Sequence, residues 1–254
     1  MDTLPRLRPD ERHLVASTWA FRACAERSAQ RRFLRLAEEL REHEAPAFIQ
    51  QMAAEAVEEE TRHIPLCDEL AAHFGWNRAA LPPTPHHPIG PADRAPRDRL
   101  LYEMVAFCCV TETVNVALLV AVRSFVQCPR VRGVVMTILK DEVRHSKLGW
   151  AYLQHAVHEG RADFLSAWIA KMLHGAGVEE IYQPDGGTRE GPRLAAYGEL
   201  SFGRRTAIFE ASMRDVVLPG LEAMGLSTTH ARQWLETYEP SLAGPESEHT
   251  PPLA

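Results

Sequence analysis

Glycine is scarce in the first part of this 254-residue chain and cysteine in the chain as a whole, and each scarcity argues against a class of fold. Few of the 15 glycines precede position 150, a distribution that favours helices over tight β-hairpins. The cysteines are odd in number and mostly lie inside helical patterns, so they do not indicate a disulfide framework. They are Cys24, Cys67, Cys108, Cys109 and Cys128. We therefore expect reduced thiols in a cytoplasmic protein.

Long apolar runs, basic runs and an apolar N-terminal core are also missing. No stretch reaches the roughly 20 uninterrupted apolar residues of a membrane span. Residues 1–6 lack the apolar core of a signal peptide. The net charge of −6 argues against a nucleic-acid-binding surface. We expect a cytoplasmic protein that has no nucleic-acid partner and no membrane partner.

Helical periodicity is what the sequence has instead. Hydrophobic residues make up 45% of the chain, which is enough for a substantial core. Apolar residues recur every three or four positions over 10–40, 49–74, 101–122 and 131–152, which predicts four long helices. A Pro-rich segment, 77–99, joins the second helix to the third, and at about 3.3 Å per residue it can run the length of the helices. The prediction is an all-α four-helix bundle with a long crossover between helices two and three.

The remainder of the chain has a different character. A short helix is predicted at 162–173, then a glycine-rich loop, then helices at 202–224 and 229–237. The last residues are rich in Pro, Glu and Ser and are predicted to be disordered. The C-terminal helices have apolar faces that would either wall a substrate pocket or form a homodimer interface. We divide the chain into a bundle, C-terminal helices packed on it and a tail: 1–158, 159–238 and 239–254.

One five-residue pattern occurs twice, on the second and the fourth predicted helix. The copies are Glu59-Glu60-Thr61-Arg62-His63 and Asp141-Glu142-Val143-Arg144-His145. In each copy a glutamate and a histidine lie three positions apart, so both project from one helix face. A carboxylate oxygen and an imidazole nitrogen directed at one point make half of a metal site. The first and third helices each carry one acid within the apolar face, Glu26 and Glu112.

The spacing of Glu26, Glu60, Glu112 and Glu142 predicts that they lie at the same level along the axis of the bundle. Glu26 and Glu60 are equally far from the turn predicted near position 43. Glu112 and Glu142 are equally far from the turn predicted near position 127. Residues equidistant from the turn of a helical hairpin come level with each other. If the Pro-rich segment recrosses the bundle, all four acids share one layer.

Such a layer needs compensating charge. Each uncompensated buried ion costs on the order of several kcal/mol. Two divalent metal ions would supply the charge; protonated acids or acids paired with arginine are the alternative. Arg62 and Arg144 each lie two residues after a glutamate, off the ligand face, so the pattern favours metal.

This set resembles the ferritin-like di-iron carboxylate proteins, which carry one Glu on each of two helices and Glu-x-x-His on the other two. The six matching positions, in chain order, are Glu26, Glu60, His63, Glu112, Glu142 and His145. The resemblance runs from about position 12 to position 155. The six-ligand set is specific for a metal site, but it is not specific for a reaction.

The resemblance also implies partners for the two histidines. Asp141 is expected to accept the free N–H of His63, and Glu59 that of His145, which fixes the orientation of each imidazole. The alternative for both acids is a surface salt bridge to arginine. The arylamine N-oxygenase branch of the family has a third histidine one turn before the second Glu-x-x-His. Here that position is Ile138, which cannot coordinate, so we expect a six-residue site with an open position.

The function implied by the resemblance is an O₂-activating oxidase or oxygenase acting on a small organic substrate. Its cofactor would be two iron ions, with manganese as the alternative metal. No Cys-x-x-Cys pair is present, so electrons are expected from an external donor. A ferroxidase or iron-handling protein, a di-manganese catalase, and a bundle whose metals only stabilise the fold are the alternatives. Beyond the metal site, no residue indicates a catalytic role. Small residues beside the ligands would leave room for substrate or simply let the helices approach: Ala23, Ala56, Cys108 and Cys109.

Overall fold

The structure is a computed structural model that describes residues 7–77, 79, 88–181 and 192–238. All regular secondary structure within these ranges is helical, which confirms the all-α class. The four long helices, α1 to α4, are Pro9–Glu42, Ala47–His73, Pro96–Phe125 and Pro129–His158. Their bounds agree with the predicted helices to within a few residues. The predicted tail at 239–254 and much of the glycine-rich loop lie outside the described residues.

The chain reverses between α1 and α2 and again between α3 and α4, near the positions expected from the sequence. Glu44 has a positive φ of 52° directly after α1, and Pro46 precedes the first residue of α2. Proline fits the start of a helix, where its missing N–H costs no hydrogen bond. Pro129 is itself the first residue of α4. The hairpin turns on which the level arrangement of the acids depends are therefore present.

α3 is not a uniform α-helix. It consists of an α-helical start, Pro96–Met104, a π-helical segment, Val105–Thr111, and an α-helical end, Glu112–Phe125. A π-helix bonds each N–H to the carbonyl five residues earlier, which widens the helix and shifts the direction of the side chains that follow. Glu112 is the first residue after this segment.

The four long helices enclose one apolar core. α1 packs along α2, α2 along α4, and α3 along α4, while α1 also contacts the start of α3. The largest side chains of the core come from all four helices and are almost fully buried: Phe33, Leu36, Ile49, Leu70, Leu101, Met104 and Tyr152. The acids of the repeated pattern lie inside this apolar layer.

The C-terminal helices pack on the outside of α3. They are a 3₁₀ turn, Asp163–Ala167, and four helices, α5 to α8: Ile169–Ile181, Pro192–Ala195, Phe202–Ala223 and Thr229–Thr237. The predicted helix at 162–173 is thus a 3₁₀ turn followed by a longer helix. α7 contains a second π-helical segment, Met213–Val217. α5 and this second π-helical segment both contact the π-helical segment of α3, and the start of α7 packs on the α-helical end of α3.

A short segment before α7 binds back to α1. The indole N–H of Trp19 donates to the carbonyl of Tyr197 at 3.0 Å. Gly198 has a φ of +96°, and a Cβ there would lie 2.8 Å from the Trp19 ring. The Thr18 hydroxyl donates to the buried carboxylate of Glu199. These contacts, which we call the C-terminal latch, join the N-terminal part of α1 to the segment before α7.

One helix in the described ranges, Pro96–Phe125, is long and apolar enough to span a membrane by length and composition. Of its most apolar 18-residue window, 72% is buried inside the protein. A buried core helix passes the same test, so this is weak evidence for a membrane. The absence of a membrane partner and the cytoplasmic location stay predictions.

Candidate metal centre

The six residues of the predicted ligand set come together in the middle of the four long helices. None is more than 3% exposed. Their ligand atoms form two groups, in each of which all the atoms lie within 4.8 Å of one another. The first group is Glu26, Glu60, His63 and Glu142, and the second is Glu60, Glu112, Glu142 and His145. Glu60 and Glu142 belong to both groups, which is the arrangement that two bridged metal ions require.

Both imidazoles direct Nδ1 into the centre. Nδ1 of His63 lies 3.4 Å from Glu26 Oε2 and 3.5 Å from Glu60 Oε2. Nδ1 of His145 lies 3.0 Å from Glu142 Oε2 and 3.1 Å from Glu60 Oε1. One nitrogen of each ring is therefore available to a metal ion at the point where the carboxylate oxygens converge.

The other nitrogen of each ring contacts a carboxylate on the facing helix. Nε2 of His63 lies 3.1 Å from Asp141 Oδ2, and Nε2 of His145 lies 2.9 Å from Glu59 Oε2. These are the pairings expected from the sequence. A carboxylate accepts but does not donate, so it fixes the proton on Nε2 and leaves Nδ1 with a lone pair for a metal.

The alternative expected for these two acids, a salt bridge to arginine, is present at the same time. Arg144 donates from Nε to Glu59 Oε1 at 3.0 Å and from Nη2 to Asp141 Oδ1 at 2.6 Å. Arg62 Nη2 lies 3.4 Å from Asp141 Oδ2. Each acid thus uses one oxygen for the imidazole of the facing helix and the other for Arg144. Asp141 and Glu59 are 6% and 5% exposed, so they belong to the buried centre and not to the surface.

Several polar atoms of the centre make no hydrogen bond. They are both carboxylate oxygens of Glu60, Oε2 of Glu112, Oε1 of Glu142 and Nδ1 of His63. Buried polar atoms without partners are costly and rare in folded proteins. All five are atoms that a cation would bind, and they face the two groups. The residues present therefore fit a pair of metal ions.

The electrostatics of the centre follow from burial and crowded negative charge. Burial, together with the charges of Glu26 and Glu142, raises the pKa of Glu60 to about 8. Burial and the charge of Glu142 raise the pKa of Glu112 well above its usual value. Burial opposes the ionisation of Glu26 as well, but the contact with His63 and the charge of Arg22 outweigh it and lower its pKa to about 2.

The imidazoles respond in the opposite sense. Burial lowers the pKa of His63, but the carboxylates of Glu26 and Glu60 outweigh it and raise that pKa to about 10. The pKa of His145 is likewise raised well above its usual value, chiefly by Glu142 once burial is overcome. Without metal, protons on Glu60 and the imidazoles supply part of the missing positive charge. A metal ion would have to displace them.

The π-helical segment of α3 touches α4 one turn after His145. A Cβ at Gly149 would lie 2.5 Å from Cys108 Cβ and 2.8 Å from the backbone nitrogen of Cys109. The helices can approach this closely only because position 149 lacks a side chain. Cys108 and Cys109 lie at this close contact of the helices; room for a substrate, the other role considered for them, stays a prediction. A glycine inside an apolar helix face was the available sign of this contact.

Two charged residues, one of α3 and one of α1, have contacts that the sequence analysis did not predict. Glu103 lies off the expected apolar face of α3, yet it is only 1% exposed; it is paired with Arg35 and lies 3.8 Å from Arg32. The sequence pattern indicates Glu112 as the only buried acid of α3. That prediction is wrong, because Glu103 is buried as well. Arg22 contacts Glu26 with its Nε 3.2 Å from Oε1. A spacing of four residues between Arg22 and Glu26 was the available signal for this pair.

No seventh ligand joins either group within the described residues. Ile138 is fully buried and apolar. His155 of α4 belongs to neither group, and its Nε2 lies 3.5 Å from Glu159 Oε1. A six-residue metal site with an open position stays a prediction.

Comparison with known proteins adds no relative. No family model, no characterised protein and no solved structure matches the chain. The functional argument therefore rests on the residues of the centre alone.

Proposed function

We propose that the chain is a ferritin-like di-iron carboxylate protein that uses O₂ to oxidise a small organic substrate. The observation that carries the proposal is the convergence of six buried ligand residues into two groups that share Glu60 and Glu142. The atoms without hydrogen-bond partners in these groups support metal over an alternative set of protonated or arginine-paired acids. The cofactor we propose is two iron ions, with manganese as the alternative.

The proposal assigns a role to each ligand. Glu26 and His63 would hold the first ion, and Glu112 and His145 the second, while Glu60 and Glu142 would bridge the two. Two ferrous ions bound there would supply electrons for the reduction of O₂. Hard carboxylate oxygens and borderline imidazole nitrogens are ligands that suit iron and manganese.

The surrounding residues orient the ligands and exclude water. Asp141 and Glu59 hold the protons of the two imidazoles on Nε2, so that Nδ1 stays free for metal binding. The ring of Phe33 lies 4.9 Å from that of His145 and is fully buried. An apolar wall of this kind keeps bulk water from a reactive centre.

The C-terminal helices support an enzyme over an iron store. α5 and α7 cover α3 next to the π-helical segment that precedes Glu112. π-Helical segments occur frequently at functional sites, and here two of them touch. A storage protein needs free outer faces to assemble a shell, whereas this chain covers the outside of one ligand-bearing helix with its own helices.

Reconstitution with ferrous iron tests the proposal. Metal-free protein loaded anaerobically is expected to bind about two ions per chain, one for each ligand group. Glu60→Ala and Glu142→Ala are expected to lose one ion or both. Glu58→Ala is the matched control, because Glu58 neighbours the centre in sequence but is exposed. Exposure to O₂ with a reductant and a panel of small organic substrates should then consume O₂ and yield oxidised product.

Other outcomes distinguish the alternatives. Zero or one tightly bound ion in the wild-type protein would refute the di-metal centre. Continued uptake to on the order of tens of ferric ions per chain, with no organic oxidation, would indicate an iron-handling protein instead. Disproportionation of hydrogen peroxide only by the manganese form would indicate a catalase.

A further inference from the structure

Glu26 and Glu112, the two glutamates that each belong to only one ligand group, have different neighbours. Arg22 Nε lies 3.2 Å from Glu26 Oε1, and Arg22 Nη2 donates to Asn115 Oδ1 at 2.7 Å. The guanidinium thus joins α1 to α3 at the edge of the centre, with its side chain 20% exposed and that of Glu26 only 4% exposed. The other oxygen of Glu26, Oε2, is the one that lies 3.4 Å from His63 Nδ1 and faces the ligand group.

Glu112 has no such neighbour. The residue four positions before it is Cys108, a buried thiol in the π-helical segment, where Glu26 has Arg22. Among the described residues, no arginine or lysine forms an ion pair with Glu112, and its Oε2 makes no hydrogen bond. Oε2 of Glu112 therefore has neither a cationic partner nor a hydrogen bond, whereas Oε1 of Glu26 faces the guanidinium of Arg22.

We propose that Arg22 is a positioning residue that makes the two metal positions unequal. It holds Glu26 Oε1 towards its guanidinium, so Glu26 would present Oε2 to its ion, whereas no arginine or lysine restrains Glu112 in this way among the described residues. An ion held beside His63 and an ion held beside His145 would therefore have different surroundings, with a guanidinium paired to a ligand glutamate at the first position only.

The geometry favours this role over an ordinary pair on a helix surface. A solvated pair with this spacing leaves both partners exposed and adds little, whereas Glu26 is buried. Asn115 fixes the plane of the guanidinium, since arginine presents its donors in a rigid fork. The orientation of Glu26 is therefore set from two helices and not by α1 alone.

The inference rests on the proposed di-iron centre, and the spectra of the diferrous protein test it. Mössbauer and near-infrared magnetic circular dichroism spectra of the wild-type protein should show two distinct ferrous sites. In Arg22→Gln, Glu26 is free to turn, and the spectra should converge towards a single type of site. Arg22→Lys keeps the charge but lacks the fork, and should give an intermediate result.

Controls separate positioning from folding. Arg27→Gln removes an arginine of the same helix that pairs with Asp68, which is not a ligand, and should leave both ferrous signals unchanged. Asn115→Ala leaves Arg22 in place without its anchor and should shift the same signal as Arg22→Gln, with helical content unchanged. Identical two-iron spectra in the wild type, Arg22→Gln and Asn115→Ala would overturn the role of Arg22. Absence of iron in the wild type would overturn the di-iron centre and this inference with it.

Discussion

Nε2 of His63 lies 3.1 Å from Oδ2 of Asp141, a residue of another helix 78 positions further along the chain. Glu59 does the same for His145 in the opposite direction, from α2 to α4. The residue just before each ligand glutamate therefore orients the imidazole that belongs to the other copy of the motif. Neither half of the centre is positioned by its own helix alone.

Removal of Asp141 tests this exchange between helices. Asp141→Ala leaves Nε2 of His63 without its acceptor, so the ring is no longer fixed with Nδ1 towards the centre. We expect metal affinity to fall by about 10- to 100-fold, the usual effect of losing such a partner. Competition with a chelator measures it, and Glu58→Ala, an exposed acid near the motif, should bind like the wild type. Equal affinities for the two variants would contradict the assigned role.

The metal-free protein is expected to lose stability as the pH rises. The folded-state pKa of Glu60 is about 8 against a usual 4.5, so folding takes up a proton between these values and a higher pH opposes it. The folded-state pKa of His63 is about 10 against a usual 6.5, so its stabilising charge is present below 6.5 and is lost towards 10. Metal binding displaces these protons, so the stabilisation by metal should grow over the same range.

Thermal unfolding with and without metal, at a series of pH values from 6 to 9, checks both trends. The two melting curves should move apart as the pH rises. A metal-free protein whose stability stays constant or increases over this range would show that protons do not replace the metal in the empty centre.

Glu60→Gln tests whether the buried charge of Glu60 destabilises the metal-free protein and whether metal binding needs that charge. Glutamine has nearly the same size as glutamate but carries no charge, so the metal-free variant should be more stable than the metal-free wild type at pH 9. The same variant should lose the stabilisation by added metal, which is about 2.7 kcal/mol at 100 times the Kd. Denaturant titrations with and without metal measure both effects. A variant that is less stable than the wild type in both states would indicate a role in packing only.

A single methyl group at Gly149 tests the contact between α3 and α4. Gly149→Ala places Cβ against Cys108 and the backbone of Cys109, and should cost about 1–3 kcal/mol as overpacking does. Gly133→Ala is the matched control on the same helix, since nothing lies within 4 Å of its Cβ position. That variant should gain about 0.5–1 kcal/mol from the better helix propensity of alanine. Urea unfolding of the metal-free proteins measures both, and equal effects would contradict the close contact.

The sequence predicts the level of the ligands because that level depends only on helix periodicity and on the positions of the turns. Glu26 and Glu60 meet across one turn and Glu112 and Glu142 across the other, as counting from the turns requires. The pairing of Asp141 with His63 followed from the family resemblance. The ferritin-like assignment itself and the metal stay predictions.

The π-helical segment of α3 was not predictable from periodicity. Every residue of Val105–Thr111 is buried, so no exposed polar position marks the register of the helix there. The same burial explains the error at Glu103, because a helix covered on several sides has no solvated face for an acid. Arg32 and Arg35 of α1 compensate its charge, a contact between distant segments that no local pattern contains.

The C-terminal latch has a consequence for the order in which the protein is made. The ligand residues of α1 to α4 leave the ribosome before position 158, but the Trp19 indole finds its acceptor only when Tyr197 appears, 178 residues later. Contacts between such distant segments form late, because the chain closes a large loop before it gains them. During synthesis, Trp19 therefore stays without its hydrogen-bond acceptor until the segment before α7 has been made.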